Sequence, residues 1–408
     1  MADAFLKLFD AYGIELEYMI VDEKSLKALP ITDQVFKDVA GHLVSDIDDG
    51  RLEWSNELVM HVVELKVAKP VHDLKNMSDE FSRGVQRLNS YLKKYSAKLM
   101  PTAMHPFMIP DEETQLWPHD NNEVYSAYNR IFDCKGHGWS NVQSTHLNLP
   151  FADDSEFAKL HAAIRIILPL VPALAASSPI HDGQVREHLD SRLEFYKSIQ
   201  IKVPSIAGDI IPESVKSIQD YKDKILAKIY KEIAPYDTDQ ILQNDWLNSR
   251  GAIARLERQS IEIRLMDIQE APIADFAIIE FLVHLLKILC TEKLISLENQ
   301  QAVPTKLLKA CLDANIRDAE KSQNHISEYA NIWGCQEAAT SQDLLQFLYH
   351  KTEFAKYATD PRIDQHFQLI LQKGSLASRM KASLMTHDMP ELYQRLSQCL
   401  ASNQSFEG

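Results

Sequence analysis

Cysteine is scarce in this chain of 408 residues, and its cysteines contain no closely spaced pair. There are five, an odd number: Cys134, Cys290, Cys311, Cys335 and Cys399. This spacing fits neither a disulfide framework nor a zinc ribbon. The segment 1–5 also lacks the basic start and apolar core of a signal peptide. We therefore expect a protein of the reducing cytoplasm.

Long apolar runs and clustered positive charge are missing as well. The most apolar stretch, residues 274–290, is interrupted by Asp275, Glu280, His284 and Lys287, so it predicts a buried helix rather than a membrane span. The formal net charge is -15, and no run of Lys and Arg stands out. This composition disfavours a nucleic-acid or membrane partner. We expect small-molecule partners and leave the oligomeric state open, with a homodimer as one option.

Several nucleotide and protease motifs are absent from the sequence. It contains no GxxxxGK[ST] string, no GxGxxG string after a strand and no HExxH string. A P-loop site, a dinucleotide fold and a zinc protease are therefore disfavoured. If a nucleotide binds, metals and arginines must hold it.

The residues that are present predict an α+β fold. Hydrophobic residues make up 45% and charged residues 25% of the chain, as in ordinary globular proteins. Alternation predicts strands and helical periodicity predicts helices, with a long functional loop at 179–212. The predicted strands are 13–21, 57–67, 141–149, 252–256 and 261–267, and the predicted helices are 71–95, 154–176, 214–233 and a succession from 272 onward. We expect a catalytic domain at 1–300 and a helical C-terminal region at 301–408 packed on it.

Four predicted strands carry polar residues on one face and aliphatic residues on the other. Residues two apart in a strand share a face. Glu15 pairs in this way with Glu17, and Glu262 pairs with Arg264. His146 shares a face with Ser144 and Asn148, and Glu64 lies between Val63 and Leu65.

A single Glu-x-Glu pair mostly indicates a solvent-facing sheet, but the joint pattern favours bound cations. If these strands share a sheet, several glutamates and one histidine crowd one face, which like-charge repulsion opposes unless cations bind there. Oxygen ligands with one imidazole suit Mg²⁺, and Mn²⁺ also fits. Glu57 lies seven residues before Glu64, so it reaches the same face only through a bulge or turn, or from the loop before the strand.

The order of these residues resembles the metal-site order of the glutamine synthetase superfamily, above all glutamate–cysteine ligase family two. The resemblance covers residues 13 to about 295. Its strings are Gly13-Ile-Glu-Leu-Glu17, His105-Pro-Phe107, Val142-Gln-Ser-Thr-His146, Ala173-Leu-Ala-Ala-Ser-Ser-Pro179, Ser191-Arg192, Gly251-Ala-Ile-Ala-Arg255 and Glu262-Ile-Arg-Leu-Met-Asp267.

This resemblance implies a curved antiparallel sheet that forms a funnel, with ATP at one end, amino acids at the other and two or three Mg²⁺ ions between. It implies that ATP phosphorylates a side-chain carboxylate and that an amine, such as cysteine, attacks the acyl phosphate of glutamate. Arg264 and Glu262 would be catalytic. Arg255 and Arg192 would contact phosphate or a substrate carboxylate, with a surface salt bridge as the alternative for each. The implied metal ligands are Glu15, Glu17, Glu57, Glu64, His146 and Glu262.

The sequence also predicts roles for residues outside the metal ligands and arginines. Alternation sets Gln143 opposite His146, so we leave it out of the site, and we favour a structural role for His105. Ser177 and Ser178 are expected to end a helix. Trp117, Tyr125, Tyr128 and Trp139 bracket a loop that could cover a substrate, although aromatic residues more often pack in a core.

Two other functions stay open at this point. A related ligase could join glutamate, or another acid, to an amine other than cysteine, since no motif in the sequence fixes the acceptor. A non-catalytic metal-binding or nucleotide-binding relative is the second alternative, weakened by the presence of Arg264 beside the acidic residues. A metal-dependent amide hydrolase is a more remote third.

Overall fold

A computed structural model describes residues 5–408, and residues 1–4 of the segment discussed above lie outside that range. The described chain contains ten strands. They are β1 (Gly13–Asp22), β2 (Asp46–Asp49), β3 (Leu52–Asn56), β4 (Val62–Val67), β5 (Ala97–Met100), β6 (Ser144–Pro150), β7 (Ile180–His181), β8 (Gln184–Val185), β9 (Ala252–Arg255) and β10 (Ser260–Asp267).

Helices surround the strands and form all of the regular structure after residue 267. They are α1 (Thr32–Ala40), α2 (Met77–Leu92), α3 (Pro110–Glu113), α4 (Asn122–Phe132), α5 (His137–Ser140), α6 (Asp154–Ile167), α7 (Val171–Ala175), α8 (Ser191–Tyr196), α9 (Ile218–Tyr221), α10 (Ala227–Ile233), α11 (Pro272–Cys290), α12 (Leu297–Ala302), α13 (Thr305–Asp318), α14 (Ile326–Ile332), α15 (Ser341–Lys351), α16 (Pro361–Lys373), α17 (Leu376–Ser383) and α18 (Met389–Ser402).

Eight strands form one sheet in the order β2-β3-β4-β1-β6-β10-β9, with β5 also paired to β1. Every pairing within this sheet is antiparallel. The predicted α+β class with an antiparallel sheet and many helices is confirmed. Strand β1 lies at the centre, so the residues on its two faces decide what the sheet covers and what it exposes.

Strand β1 follows the predicted alternation. Ile14, Leu16 and Tyr18 are fully buried in the main core, where α11 packs against both α2 and α6. The opposite face carries Glu15 and Glu17, and it then becomes apolar at residues 19 and 21, which join a second core cluster with α17 and α18. The acidic part of the face is therefore limited to the first half of the strand.

Three segments differ from the sequence prediction. Strand β4 begins at Val62 rather than at residue 57, because residues 58–60 pair with residues 115–117 instead. Strand β6 begins at Ser144 rather than at residue 141. The predicted loop 179–212 contains the β7–β8 hairpin and helix α8.

The β2–β3 hairpin was missed, although the sequence contains a turn signal for it. Asp49 pairs with Leu52, so Gly50 and Arg51 form a two-residue turn. Gly50 has a positive φ of 81° at the first of the two turn residues, the position at which a type II′ hairpin turn takes glycine. Recognition of this signal would have predicted β3 and the position of Glu57 directly after it.

The C-terminal helices share the core of the sheet region. Leu308, Leu348 and Phe367 belong to the same core cluster as Leu16 of β1. Helix α16 packs against α11, and α18 packs against α2 and β5. Helical structure over 301–408 follows from these elements, whereas the functional division at residue 300 stays a prediction.

One helical stretch, Asp154–Ala175, is long and apolar enough to cross a membrane when judged by length and composition alone. It runs through α6 and α7. In its most apolar window, 94% of the residues are buried inside the fold. We therefore interpret it as a core helix.

Candidate functional site

Four neighbouring strands bring the predicted acidic face together. Glu17 lies opposite Glu64 in the β1–β4 pair, and Glu15 lies opposite His146 in the β1–β6 pair. Glu262 of β10 lies opposite Asn148 of β6. Ligand atoms of Glu15, Glu64 and His146 all lie within 4.8 Å of one another. The predicted convergence of these strands is therefore observed in the structure.

His146 lies at the centre of the hydrogen bonds in this cluster. Its Nδ1 lies 2.9 Å from Oε2 of Glu15, and its Nε2 lies 2.9 Å from Oγ of Ser144. That hydroxyl donates to Oε2 of Glu17 over 2.8 Å, and the Ser144 backbone N–H donates to the same oxygen over 2.7 Å. With ionised carboxylates, both imidazole nitrogens must donate, so the ring carries a proton on each.

Burial and charge shift the pKa values of the cluster in different directions. Burial alone would raise the pKa of Glu15, but the hydrogen bond and charge of His146, with Lys66 and Arg264, lower it to about 2. Burial and the neighbouring carboxylates raise the pKa of Glu57 and of Glu64 well above the usual value. Burial would lower the pKa of His146, but Glu15, Glu17 and Glu262 raise it. Without a cation, the cluster therefore retains extra protons.

Glu262 is held between two arginines. Its Oε2 lies 3.1 Å from Nη1 of Arg255, and its Oε1 lies 3.1 Å from Nη2 of Arg264. The second contact is an ion pair without hydrogen-bond alignment, so Oε1 is buried with no hydrogen-bond partner among the described residues. An oxygen left in this state is available to a cation.

A β-bulge sets the position of Arg264. The β10–β6 register moves from Ile263 opposite Leu147 to Met266 opposite Thr145, which inserts one extra residue into β10. The backbone N–H of Arg264 donates instead to the carbonyl oxygen of Gly251 over 3.1 Å. Bulges of this kind re-aim side chains next to functional sites.

Glu57 lies in the loop before β4, one of the two routes by which its spacing allowed it to reach the cluster. It follows the last residue of β3, and the next residues are held by segment 115–117. The Trp117 N–H donates to the Leu58 carbonyl over 2.9 Å, and the Met60 N–H donates to the Gln115 carbonyl over 2.9 Å. These two hydrogen bonds, from residues 58–60 to residues 115–117, therefore fix the connection between β3 and β4.

Two cavities meet at the acidic cluster. The larger, of about 800 Å³, is lined by Lys66, Arg255 and Arg258 in addition to the cluster. The smaller, of about 320 Å³, extends in another direction between α4, α5 and α8. Four residues line both cavities: Glu17, Glu57, His146 and Arg264. A group bound in one cavity can therefore meet a group bound in the other at this cluster.

The two remaining predicted arginines lie in different places. Arg255 lines the larger cavity, with its Nε 3.3 Å from Oδ1 of Asp245. Arg192 lines only the smaller cavity, and it is ion-paired through Nε with Asp267 and bonded through Nη2 to the Leu265 carbonyl over 2.7 Å. Much of the Arg192 guanidinium is thus already bonded within the protein.

Several lining residues were not predicted as part of the site. Lys66 shares a face with Glu64 and lies 3.3 Å from its Oε1, and the same alternation that predicted Glu64 could have found it. Asn148 donates to Oε1 of Glu15 over 3.0 Å. Tyr196, Gln200 and Trp246 of the smaller cavity left no signal, because they lie in segments without regular alternation.

The secondary expectations can be located as well. Gln143 accepts from the Met19 N–H over 2.6 Å, and His105 contacts the Leu26 carbonyl through Nε2 over 2.6 Å. Neither lines a cavity of the cluster. Among the four aromatic residues, Tyr125 lines the larger cavity and Tyr128 and Trp139 line the smaller, whereas Trp117 is buried in the core.

A second group of side chains of the types that bind metals consists of His137, His181 and Asp182. Both histidines hydrogen-bond to Asp182. Asn141 is fixed by His105, whose N–H donates to its Oδ1 and whose carbonyl accepts from its Nδ2. The same Nδ2 donates to Nδ1 of His137, so Nε2 of that ring carries the proton and donates to Asp182 over 2.9 Å. His137 and Asp182 therefore satisfy each other's hydrogen bonds without a metal.

The cluster on the sheet, by contrast, fits Mg²⁺ or Mn²⁺. Its donors are carboxylate oxygens and one imidazole, the set that these hard cations take. The buried Oε1 of Glu262 without a hydrogen-bond partner and the pKa values of Glu57 and Glu64, raised by burial and by neighbouring carboxylates, are both consistent with a cation bound at this cluster.

A family model named glutamate–cysteine ligase family 2 matches residues 11–395. The chain belongs to this family. The match extends well beyond residue 295, where the recognisable sequence strings end, so the C-terminal helices are part of the family's common chain. Membership places the protein among carboxylate–amine ligases.

Two relatives and one solved structure are similar to this family member. A protein of Archaeoglobus fulgidus, itself uncharacterised, is 32% identical over 97% of this chain and 99% of its own length. A candidate glutamate–cysteine ligase 2 of Clavibacter sepedonicus is 24% identical over 46% of each chain. The solved glutamate–cysteine ligase of Francisella tularensis in complex with AMP has a TM-score of 0.61 at 13% identity, covering 98% of this chain and 90% of that one. This last similarity shows a common fold.

Proposed function

We propose that this protein is an ATP- and Mg²⁺-dependent ligase that activates a carboxylate as an acyl phosphate and transfers the acyl group to an amine. The observation that carries the proposal is the acidic cluster shared by two cavities in a member of this family. The larger cavity has the volume and the cationic residues for ATP, and the smaller one can hold the other substrates. The AMP bound in the related Francisella structure supports a nucleotide in this fold.

The reaction has two balanced steps. An oxygen of the substrate carboxylate attacks the γ-phosphorus of ATP, the bond from that phosphorus to the β-phosphate oxygen breaks, and ADP leaves. The amine nitrogen then attacks the acyl carbon, the bond to the phosphate oxygen breaks, and inorganic phosphate leaves while the nitrogen loses a proton. Glutamate is the acid expected from the family, with γ-glutamyl phosphate as its activated form.

The protein's own residues supply positions and charges for these steps. Glu15, Glu17, Glu57, Glu64, His146 and Glu262 would hold two or three Mg²⁺ ions, which would neutralise phosphate charge when bound. Arg264, fixed beside Glu262, would stabilise the oxygens of the transferred phosphoryl group. Arg255 would contact phosphate from the same cavity, and Arg192 would face the acid or amine. The funnel shape implied by the resemblance and the cytoplasmic location stay predictions.

The family's description makes cysteine the first amine to test, which would give γ-glutamylcysteine as product. A different amine is the second candidate, because four aromatic side chains line the smaller cavity. A protein that only binds nucleotide and metal is the alternative outside catalysis.

The test is to incubate the purified protein with ATP, Mg²⁺ and glutamate, with and without hydroxylamine or a panel of amines. Hydroxylamine is a small nucleophile that converts an acyl phosphate into a hydroxamate without needing an amine pocket. We expect hydroxamate and ADP only when acid, ATP and Mg²⁺ are all present, and loss of both products in Glu262→Gln. ADP release that is independent of the acid, or hydroxamate production by Glu262→Gln at the wild-type rate, would contradict the proposal.

A further inference from the structure

One wall of the smaller cavity is aromatic. Tyr128, Trp139, Tyr196 and Trp246 line it. The ring of Tyr128 lies 5.5 Å from that of Trp139 and 6.1 Å from that of Trp246, measured between centroids. All four side chains are only partly buried by the protein. Trp117, by contrast, is fully enclosed at 0% exposure.

Three polar atoms of residues that line this cavity have no hydrogen-bond partner among residues 5–408. They are Nε1 of Trp139, the hydroxyl of Tyr196 and Oε1 of Gln200. Gln200 is only 4% exposed, and its Nε2 donates to Oγ of Ser249 over 2.9 Å, which leaves Oε1 as its free end. Buried polar groups of native proteins are nearly always paired, so these atoms indicate a ligand with both an acceptor and a donor.

The charged residues of the cavity are two carboxylates and two cations. The carboxylates are Glu17 and Glu57, both in the acidic cluster, and the cations are Arg192 and Arg264. These residues suit the reacting carboxylate and the phosphoryl group. The four aromatic side chains add no formal charge to the lining.

We propose that the smaller cavity selects an amine whose body is a flat, largely apolar ring with a polar edge, in preference to cysteine. This inference rests on the proposed ligase function and names the substrate class of the same site. An aromatic or heteroaromatic amine gains offset or edge-on contacts with the tyrosine and tryptophan rings. Cysteine has no ring with which to make these contacts.

The experiment compares amines under conditions where the hydroxamate assay reports carboxylate activation separately. Phenethylamine, propylamine and cysteine are each added with ATP, Mg²⁺ and glutamate, and products are identified by mass. We expect kcat/KM for phenethylamine to exceed that for propylamine and cysteine by about tenfold or more, the size of one good aromatic contact. If hydroxamate forms but kcat/KM for cysteine equals or exceeds that for phenethylamine, this inference is wrong while the proposed ligase function stands. If no acid gives hydroxamate, the ligase function and this inference both fail.

Two variants test the wall itself. Trp246→Leu removes one ring, and Trp139→Phe keeps a ring but removes the unpaired N–H. We expect each to lower the ratio of kcat/KM for phenethylamine to that for hydroxylamine, by about tenfold in Trp246→Leu and less in Trp139→Phe. Tyr357→Leu is the control, because this aromatic residue is exposed and lies outside both cavities. Circular dichroism checks that each variant folds.

Binding can also be followed without turnover. Phenethylamine added to the wild-type protein with glutamate and a non-hydrolysable ATP analogue is expected to quench tryptophan fluorescence saturably, and less so in Trp246→Leu. A quench that is identical in wild type and variant would mean that the amine does not contact this wall.

Discussion

At the scale of single residues, Arg264 depends on one inserted residue in β10. The bulge between Ile263 and Met266 lets its guanidinium line both cavities while it remains 3.1 Å from Glu262. A cation fixed in this way before the reaction stabilises developing charge without reorganisation.

We predict that Arg264→Ala binds ATP but loses kcat by on the order of a hundredfold, as expected for one lost oxyanion donor. Steady-state kinetics measures kcat, and calorimetry measures the dissociation constant of ATP. Arg130→Ala is the matched control, since Arg130 forms an exposed ion pair with Asp239 outside the site. Turnover within twofold of wild type would remove Arg264 from the proposed role.

His161 allows a prediction about stability rather than catalysis. This residue of α6 is buried between Phe157 and Tyr221, and neither ring nitrogen has a partner among the described residues. Burial, with the charges of Arg165 and Arg250, lowers its pKa to about 3. As the pH falls through about 6.5, His161 takes up a proton in the unfolded chain but not in the folded chain. The free energy of unfolding therefore decreases as the pH falls from 6.5 towards 3.

We therefore predict that His161→Leu becomes progressively more stable than wild type as the pH falls. Each pH unit below 6.5 contributes about 1.4 kcal/mol, so the difference in free energy of unfolding should change by about 2–3 kcal/mol between pH 7 and pH 4.5. Urea unfolding at both pH values measures it. His350→Leu, at an exposed position on α15, is the control. A pH-independent difference for His161→Leu would contradict the assignment of its neutral state.

At the scale of elements, the site residues in regular strands could be predicted from the alternation of the sequence. The site residues held by irregular backbone could not. Glu15, Glu17, Glu64, His146 and Glu262 lie in regular strands, so residue spacing alone assigned their faces correctly. The bulge at Arg264 and the connection after β3 depend on hydrogen bonds to segments distant in sequence, which local spacing does not encode. The aromatic wall combines α4, α5, α8 and residue 246, and only the folded chain brings these together.

The β3–β4 connection leads to a prediction about Glu57. Its neighbours Glu17 and Glu64 and its burial raise its pKa, so a metal ion that binds there must displace a proton. We predict that Mg²⁺ binds the wild-type protein more tightly at pH 8.5 than at pH 6, and that Glu57→Gln weakens binding and reduces this pH dependence. Calorimetric titration at both pH values measures it, with Glu112→Gln on α3 as the exposed control. Unchanged affinity at both pH values would exclude Glu57 as a ligand.

At the scale of the whole molecule, the acidic cluster belongs to the folded chain and to no single segment. Its members come from four strands and one connection, and the core beneath them continues into the C-terminal helices. The protein has a net charge of -15, and much negative charge is concentrated where the two cavities meet. Metal binding should therefore stabilise the entire fold, because an unfolded chain disperses these ligands.

We predict that Mg²⁺ raises the melting temperature of the wild-type protein at pH 8 by several degrees, since an ion at about 100 times its dissociation constant adds about 2.7 kcal/mol. Glu17→Gln should show a much smaller increase, even if its melting temperature without metal is higher because one repulsive charge is gone. The increase on adding metal is therefore the quantity to compare, with NaCl at equal ionic strength as the control. Equal increases in both proteins, or an equal effect of NaCl, would mean that Mg²⁺ acts on general surface charge rather than on the cluster that joins the two cavities.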